Sequence, residues 1–253
     1  MAGTILSLEN VTVDFFGFKA INGLSSFLNH GELRFLIGPN GAGKTTLLDV
    51  ICGKTKPTSG RVIFKDHKDI GRHREHQIVR LGISRKFQTP SVFRNLTVFE
   101  NLELAVQKDR GVWAAMFSPL SNEQQEAIDD TLVKTGLTDQ AHIQADLLSH
   151  GQKQWLEIGM QLIQDPDLLL LDEPVAGMTK KETEKTGELL LEITKERSVL
   201  VVEHDMEFVR NFATKVTVMH EGKILCEGQV DKVQQDPRVI EVYLGRGRDN
   251  VKH

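Results

Sequence analysis

The chain has 253 residues, 31 Lys and Arg against 35 Asp and Glu, and a net charge of −4 at pH 7. That balance excludes a broad basic field of the kind that takes nucleic acid as partner, and the length allows one large domain with ample core. Cys52 and Cys226 match no metal spacing and read as buried hydrophobes of a reducing compartment. No apolar stretch approaches the roughly 20 residues that span a bilayer. The N-terminus lacks the basic start and long apolar core of a secretion signal.

In chain order, residues 4–8 and 11–16 are rich in β-branched and aromatic side chains and predict strands. Residues 35–37 form a short apolar run, read as a buried strand, and residues 46–52 read as a helix. Between them Gly38, Pro39, Asn40, Gly41, Ala42, Gly43, Lys44 and Thr45 complete the G-x-x-x-x-G-K-[ST] loop, with Thr46 opening the helix. The glycines let the backbone curl until successive N–H groups face phosphate oxygens, and the helix turns its positive end to them. Lys44 adds a point charge for the β- and γ-phosphates and Thr45 a hydroxyl for Mg2+. The loop predicts a nucleoside triphosphate site.

Residues 62–64 and 82–87 continue the strand pattern. Over residues 97–164 apolar side chains recur at three- and four-residue spacing, with helical segments at 98–107, 123–135 and 152–163. Asp165-Pro166 ends the last of them. Residues 168–171 read as a central parallel strand, 180–197 as an amphipathic helix and 199–202 as another buried strand. Residues 216–220 and 223–226 flank a turn at Glu221-Gly222. The expected fold is α/β, a parallel core interrupted by a helical insert. At the carboxyl end of the strand at 168–171 stand Asp172, suited to hold Mg2+, and Glu173, placed to accept a proton from the water that attacks the γ-phosphate.

A third motif, Leu148-Ser149-His150-Gly151-Gln152, opens a helix about twenty residues before Asp172 and resembles the signature motif of ABC ATPases. Free N–H groups at that helix start, with the Ser149 hydroxyl, form an anion site, and Ser149 could equally be a plain N-cap. The resemblance covers residues 15–244 and implies a P-loop ATPase core with a mixed parallel sheet. It further implies an N-terminal antiparallel β subdomain and an inserted α-helical subdomain. Residues 1–88 and 165–253 would be catalytic core, and residues 89–164 the insert. It implies that Ser149, His150, Gly151 and Gln152 close on the γ-phosphate of a second ATPase subunit. Gln88 would sense Mg2+ and the attacking water, His204 would contact the γ-phosphate, and Phe15 would stack on adenine. Phe18, read as lying on the same strand face, is the runner-up for stacking.

Two positions depart from the family pattern. His150 stands where most members carry Gly, and Thr179 where an aspartate usually reaches across the dimer. Asp165-Pro, Pro174-Val-Ala-Gly-Met-Thr and the segment at 236–245 look like the importers of hydrophobic and branched-chain amino acids. Leu-Ser-His-Gly-Gln-Lys-Gln-Trp-Leu-Glu-Ile-Gly-Met resembles most closely an ATP-binding subunit of the urea importer. The resemblance therefore implies an ATP hydrolase docked on the cytoplasmic face of the plasma membrane, pairing with a second ATPase subunit, homo- or heteromeric. It also implies two membrane permeases and a solute-binding protein that acts through them. A branched-chain amino acid importer is the alternative, and a non-transport ABC ATPase a more remote one. The aromatic run at 111–117, with Trp113, Met116 and Phe117, is read either as a permease groove or as the insert's own small core.

Overall fold

The computed structural model describes residues 3–65, 67–86, 92–106 and 120–244. Thr4–Phe15 (β1) and Phe18–Asn29 (β2) pair antiparallel around a two-residue turn, Phe16-Gly17, in which both residues have positive φ. Such a turn matches the right-handed twist of the flanking strands. The two strand segments expected at 4–8 and 11–16 are one strand that runs through an irregular register near Asn10, whose φ is 49°. β2 was not expected, because Gly23 and a polar stretch break its alternation. Its partner β1 supplies the ladder that local propensity does not.

Leu33–Ile37 (β3) leaves for a second sheet, and Ser59–Phe64 (β4) and Lys68–Asp69 (β5) complete the first in the order β2-β1-β4-β5. The second sheet adds Ile83–Lys86 (β6), Leu168–Asp172 (β7), Ser198–Val202 (β8), Lys215–His220 (β9) and Lys223–Gly228 (β10), in the order β10-β9-β3-β8-β7-β6. All its neighbours are parallel except the β9–β10 hairpin. An antiparallel N-terminal sheet beside a mixed, mainly parallel one is the architecture expected from the sequence.

Among the described residues the helices are Lys44–Ile51 (α1), Glu75–Arg80 (α2), Val98–Val106 (α3), Asn122–Thr135 (α4), His150–Leu162 (α5), Lys180–Thr194 (α6), Met206–Phe212 (α7), Val230–Gln234 (α8) and Pro237–Leu244 (α9). The short helices α2, α7 and α8, each too brief to show a helical period, and the eight-residue α9 were not expected. β3, β7 and β8 are buried along their whole length. Their side chains alternate between two cores. Phe35, Leu169, Leu171, Val199 and Val201 face α3 to α7, while Leu36, Leu168, Leu170, Leu200 and Val202 face α1 and the antiparallel sheet. Burial on both faces explains why these strands read as unbroken apolar runs. It also aligns the carboxyl ends of three adjacent strands, where α/β proteins place their ligands.

Candidate active site

β3 runs directly into the phosphate loop, and Gly38 and Gly43 show why that loop demands glycine. At φ 152° a Cβ on Gly38 would lie 2.3 Å from the Met219 carbonyl oxygen, and at φ 99° one on Gly43 would lie 2.4 Å from that of Ala20. Gly43 also occupies the N-cap of α1 without a side chain to satisfy the first-turn N–H groups, so an outside acceptor can take them. α1 begins at Lys44, two residues earlier than expected. The Lys44 ammonium donates to the carbonyls of Gly38 (2.7 Å) and Pro39 (3.2 Å), and burial lowers its pKa against the opposing pull of Glu173 and Asp172.

A cavity of about 330 Å³ opens over the loop, lined by Asn40, Gly41, Ala42, Gly43, Lys44, Thr45, Thr46, Glu173 and Val202, with Phe18 and Ala20 closing one side. Phe18 is the aromatic that lines this cavity, and Phe15, which the resemblance puts against adenine, is not among the lining residues. The two residues face each other across the hairpin turn, on different strands rather than one strand face. Direct partners of this kind put their side chains on the same face of the sheet. Replacing Phe18 by Ala is expected to weaken ATP binding by about tenfold or more, as loss of one base–aromatic stack does. The Phe15→Ala variant should bind normally, and a fluorescent-nucleotide titration of the two compares them directly.

Asp172 ends β7 in register with Val202 of β8, and is 2 % exposed. Neither of its carboxylate oxygens has a hydrogen-bond partner, while the Arg85 guanidinium stands 3.5 Å away. Burial raises its pKa, with Arg85 opposing. A buried carboxylate whose Oδ1 has no partner fits a hard cation that takes one protein carboxylate and completes its shell with water and phosphate. Among the described residues no three His, Cys, Asp or Glu side chains gather into an all-protein metal cage, which Mg2+ does not need.

Arg85 carries no sequence signal, yet it is buried under the site. It bonds Asp49 of α1, lies 3.4 Å from the Cys52 thiol, and pairs with Asp172. It thereby ties the helix behind the phosphate loop to Asp172.

Glu173 follows with φ 49°, a left-handed conformation that is costly for a residue with a side chain. Its backbone N–H donates to the Val202 carbonyl, 2.9 Å away, which anchors the strained turn to β8. Glu173, which lines the cavity, has Oε1 3.4 Å from His204 Nδ1, so two residues distant in sequence meet beside it. Glu203, unassigned in the sequence, ties this corner together. Buried between β8 and the turn, its carboxylate accepts from the backbone N–H groups of Val175, His204 and Asp205. Desolvation raises its pKa despite those bonds.

The signature segment lies apart from the phosphate-loop cavity. Ser149 caps α5 in a reciprocal box with Gln152, its oxygen accepting from Gln152 N at 3.1 Å. Its hydroxyl donates to Glu182 Oε1 of α6 at 3.0 Å, and His150 Nε2 lies 3.0 Å from the Ala176 carbonyl oxygen. Trp155 fastens the two helices further, donating to Thr186 Oγ1 at 2.9 Å beneath Lys185, whose ammonium sits 4.0 Å from the ring centroid. Gln88 and the run at 111–117 lie outside the described residues.

Residues 21–176 match the family model described as ABC transporter, and residues 223–249 match that of the branched-chain amino acid ATP-binding cassette transporter. The chain is 35% identical to the high-affinity branched-chain amino acid transport ATP-binding protein LivG of Escherichia coli K12, over 97% of this chain and 99% of that protein. Among solved structures it superimposes on an ATP-binding cassette of an ABC transporter in its ADP conformation, with a TM-score of 0.84 and 32% identity, covering 96% of this chain and 99% of that one. A dimeric ATP-binding cassette in a post-hydrolysis state, bound to ADP and Pi, is similar at a TM-score of 0.74 and 26% identity, over 89% of this chain and 99% of that one.

Proposed function

Because this chain belongs to the ATP-binding subunits of ABC transporters, in the branched-chain amino acid group, we propose that its hydrolysis of ATP drives import of a small solute through two membrane permeases fed by a solute-binding protein. The observation that carries the catalytic part is the meeting of Glu173 and His204, 3.4 Å apart, over a glycine loop that holds Lys44. ATP binds with its phosphates on the N–H groups at the start of α1, its γ-phosphate facing Lys44 and its base against Phe18. Glu173 takes the proton of the attacking water, and His204 holds the γ-phosphate and orients the carboxylate. Thr45 and Asp172 would hold Mg2+, which would supply positive charge against the phosphate oxygens. Gln88 is proposed to sense that ion.

The signature seat at Ser149, His150, Gly151 and Gln152 serves the nucleotide of a second ATPase subunit, so hydrolysis needs a head-to-tail pair. The dimeric relative bound to ADP and Pi supports this reading. The segment at 89–164 is proposed as the moving helical insert that meets the permeases. A groove of about 380 Å³ between α2, β6 and α5, lined by Glu75, His76, Val79 and Gln161 among others, offers a permease helix an open face. Among the described residues no helix is long and apolar enough to cross a membrane, which suits a subunit held on the cytoplasmic face by its permeases.

The curated relative's name makes branched-chain amino acids the first choice of solute. Urea is the second reading, favoured by the likeness of residues 148–160 to a urea importer's ATPase. Copurified complex in vesicles, given ATP and solute-binding protein, is expected to accumulate labelled leucine rather than labelled urea. Urea uptake alone would reverse the order, and uptake of neither would reject both.

A further inference from the structure

Glu182 sits where α6 begins, and its carboxylate faces two ways. Oε2 accepts from the Thr179 backbone N–H at 3.0 Å and from the Thr179 hydroxyl at 2.8 Å. Oε1 accepts the Ser149 hydroxyl proton at 3.0 Å, and the carboxylate also accepts from the Gly151 backbone N–H. A Cβ on Gly151 would lie 2.4 Å from Oε1, so the carboxylate rests directly on the opening turn of α5. It is an anion bound at a helix N-terminus, supplied by the same chain.

The Ser149 hydroxyl and the Gly151 N–H are both already used there. Ser149 Oγ already accepts from Gln152 N, so its single proton points to Glu182. A phosphate arriving at this seat needs that proton and the Gly151 N–H, and cannot have them while the carboxylate stays. The hydrogen bonds from Thr179, then those from Ser149 and Gly151, hold the Glu182 carboxyl below the usual carboxylate range, so it is charged at neutral pH. Both family departures lie on the same contact. Thr179, in place of an acid, adds no competing charge beside Glu182, and His150 holds the neighbouring Ala176 carbonyl.

We propose that the Glu182 carboxylate is the resting occupant of the signature seat, and that dimer closure exchanges it for the γ-phosphate bound by the second subunit. The exchange rests on the reading above in which this seat serves a partner's nucleotide. In the open subunit the carboxylate keeps the Ser149 and Gly151 donors aligned and ties the signature turn to the segment after Asp172. At closure it opposes the incoming phosphate by charge, which sets the ATP concentration at which the pair forms.

The test uses the full chain carrying Glu173→Gln, in which bound ATP persists, with and without Glu182→Gln. Glutamine preserves the capping arrangement, as Gln152 does for Ser149, and thermal unfolding checks that the fold is kept. Sedimentation velocity is expected to show the ATP concentration for half-association falling about tenfold, the order for removing one like charge from beside a phosphate. An unchanged or higher concentration overturns the exchange. If the Glu173→Gln parent never associates, the reading in which two copies of this chain pair fails, and a second measurement still decides whether Glu182 fills the seat. With Ser149→Cys, Glu182→Gln should speed labelling by an anionic methanethiosulfonate about tenfold and leave a neutral one unaffected. Equal effects on both reagents overturn the proposal.

Discussion

Glu173→Gln lowers ATP turnover by about a hundred- to ten-thousand-fold, the range that a positioned general base contributes. The effect falls on the chemical step because Glu173 is held for it. Its backbone sits at φ 49°, fastened to Val202, and its carboxylate meets His204 at 3.4 Å. Glutamine keeps the size and the turn but cannot accept a proton. ATP affinity should hold or rise, since the substitution removes a negative charge beside the phosphates. Single-turnover hydrolysis against equilibrium nucleotide binding separates the two, and a variant that hydrolyses normally would remove Glu173 from the reaction.

Lys44→Ala is expected to weaken ATP binding by about tenfold to a hundredfold, from the roughly 1.5–3 kcal/mol of a charge-assisted hydrogen bond. In the structure its ammonium is lodged on the Gly38 and Pro39 carbonyls, folded back along the loop. Burial has already weakened its hold on the proton. Triphosphate adds negative charge to that of Glu173 and Asp172, so binding draws the ammonium off those carbonyls and restores its proton affinity. The sign follows. Because its pKa is lowered, free Lys44 loses its charge at a lower pH than an ordinary lysine, and ATP affinity should fall earlier on the alkaline side. Titration calorimetry across pH measures this, and the alkaline loss should vanish in Lys44→Ala. A variant that binds ATP as well as the parent would show that the loop's backbone alone carries the phosphates.

Local signals marked the parts of this site that are contiguous in sequence. The glycine loop was legible because glycine at Gly38 and Gly43 answers a backbone requirement that no other residue meets. β7 and β8 were legible because strands buried on both faces must be apolar throughout, and the acids at their ends interrupt that rule conspicuously. Order along the chain does not say which of two aromatics flanking a hairpin turn lines the cavity, and the structure puts Phe18 there. β2 escaped notice because its order comes from β1 rather than from its own pattern.

Thus nucleotide chemistry, the parallel core and the family were written in short windows, where each residue's role follows from its neighbours in the chain. Arg85 under Asp172, Glu203 behind His204, and Glu182 on the signature turn became visible only with the chain folded. Their partners come from other strands and helices, and a charged side chain gives no local sign of which distant donor will neutralise it. Packing made that decision, because a buried charge must find a partner and only the assembled sheets and helices determine which one lies within reach.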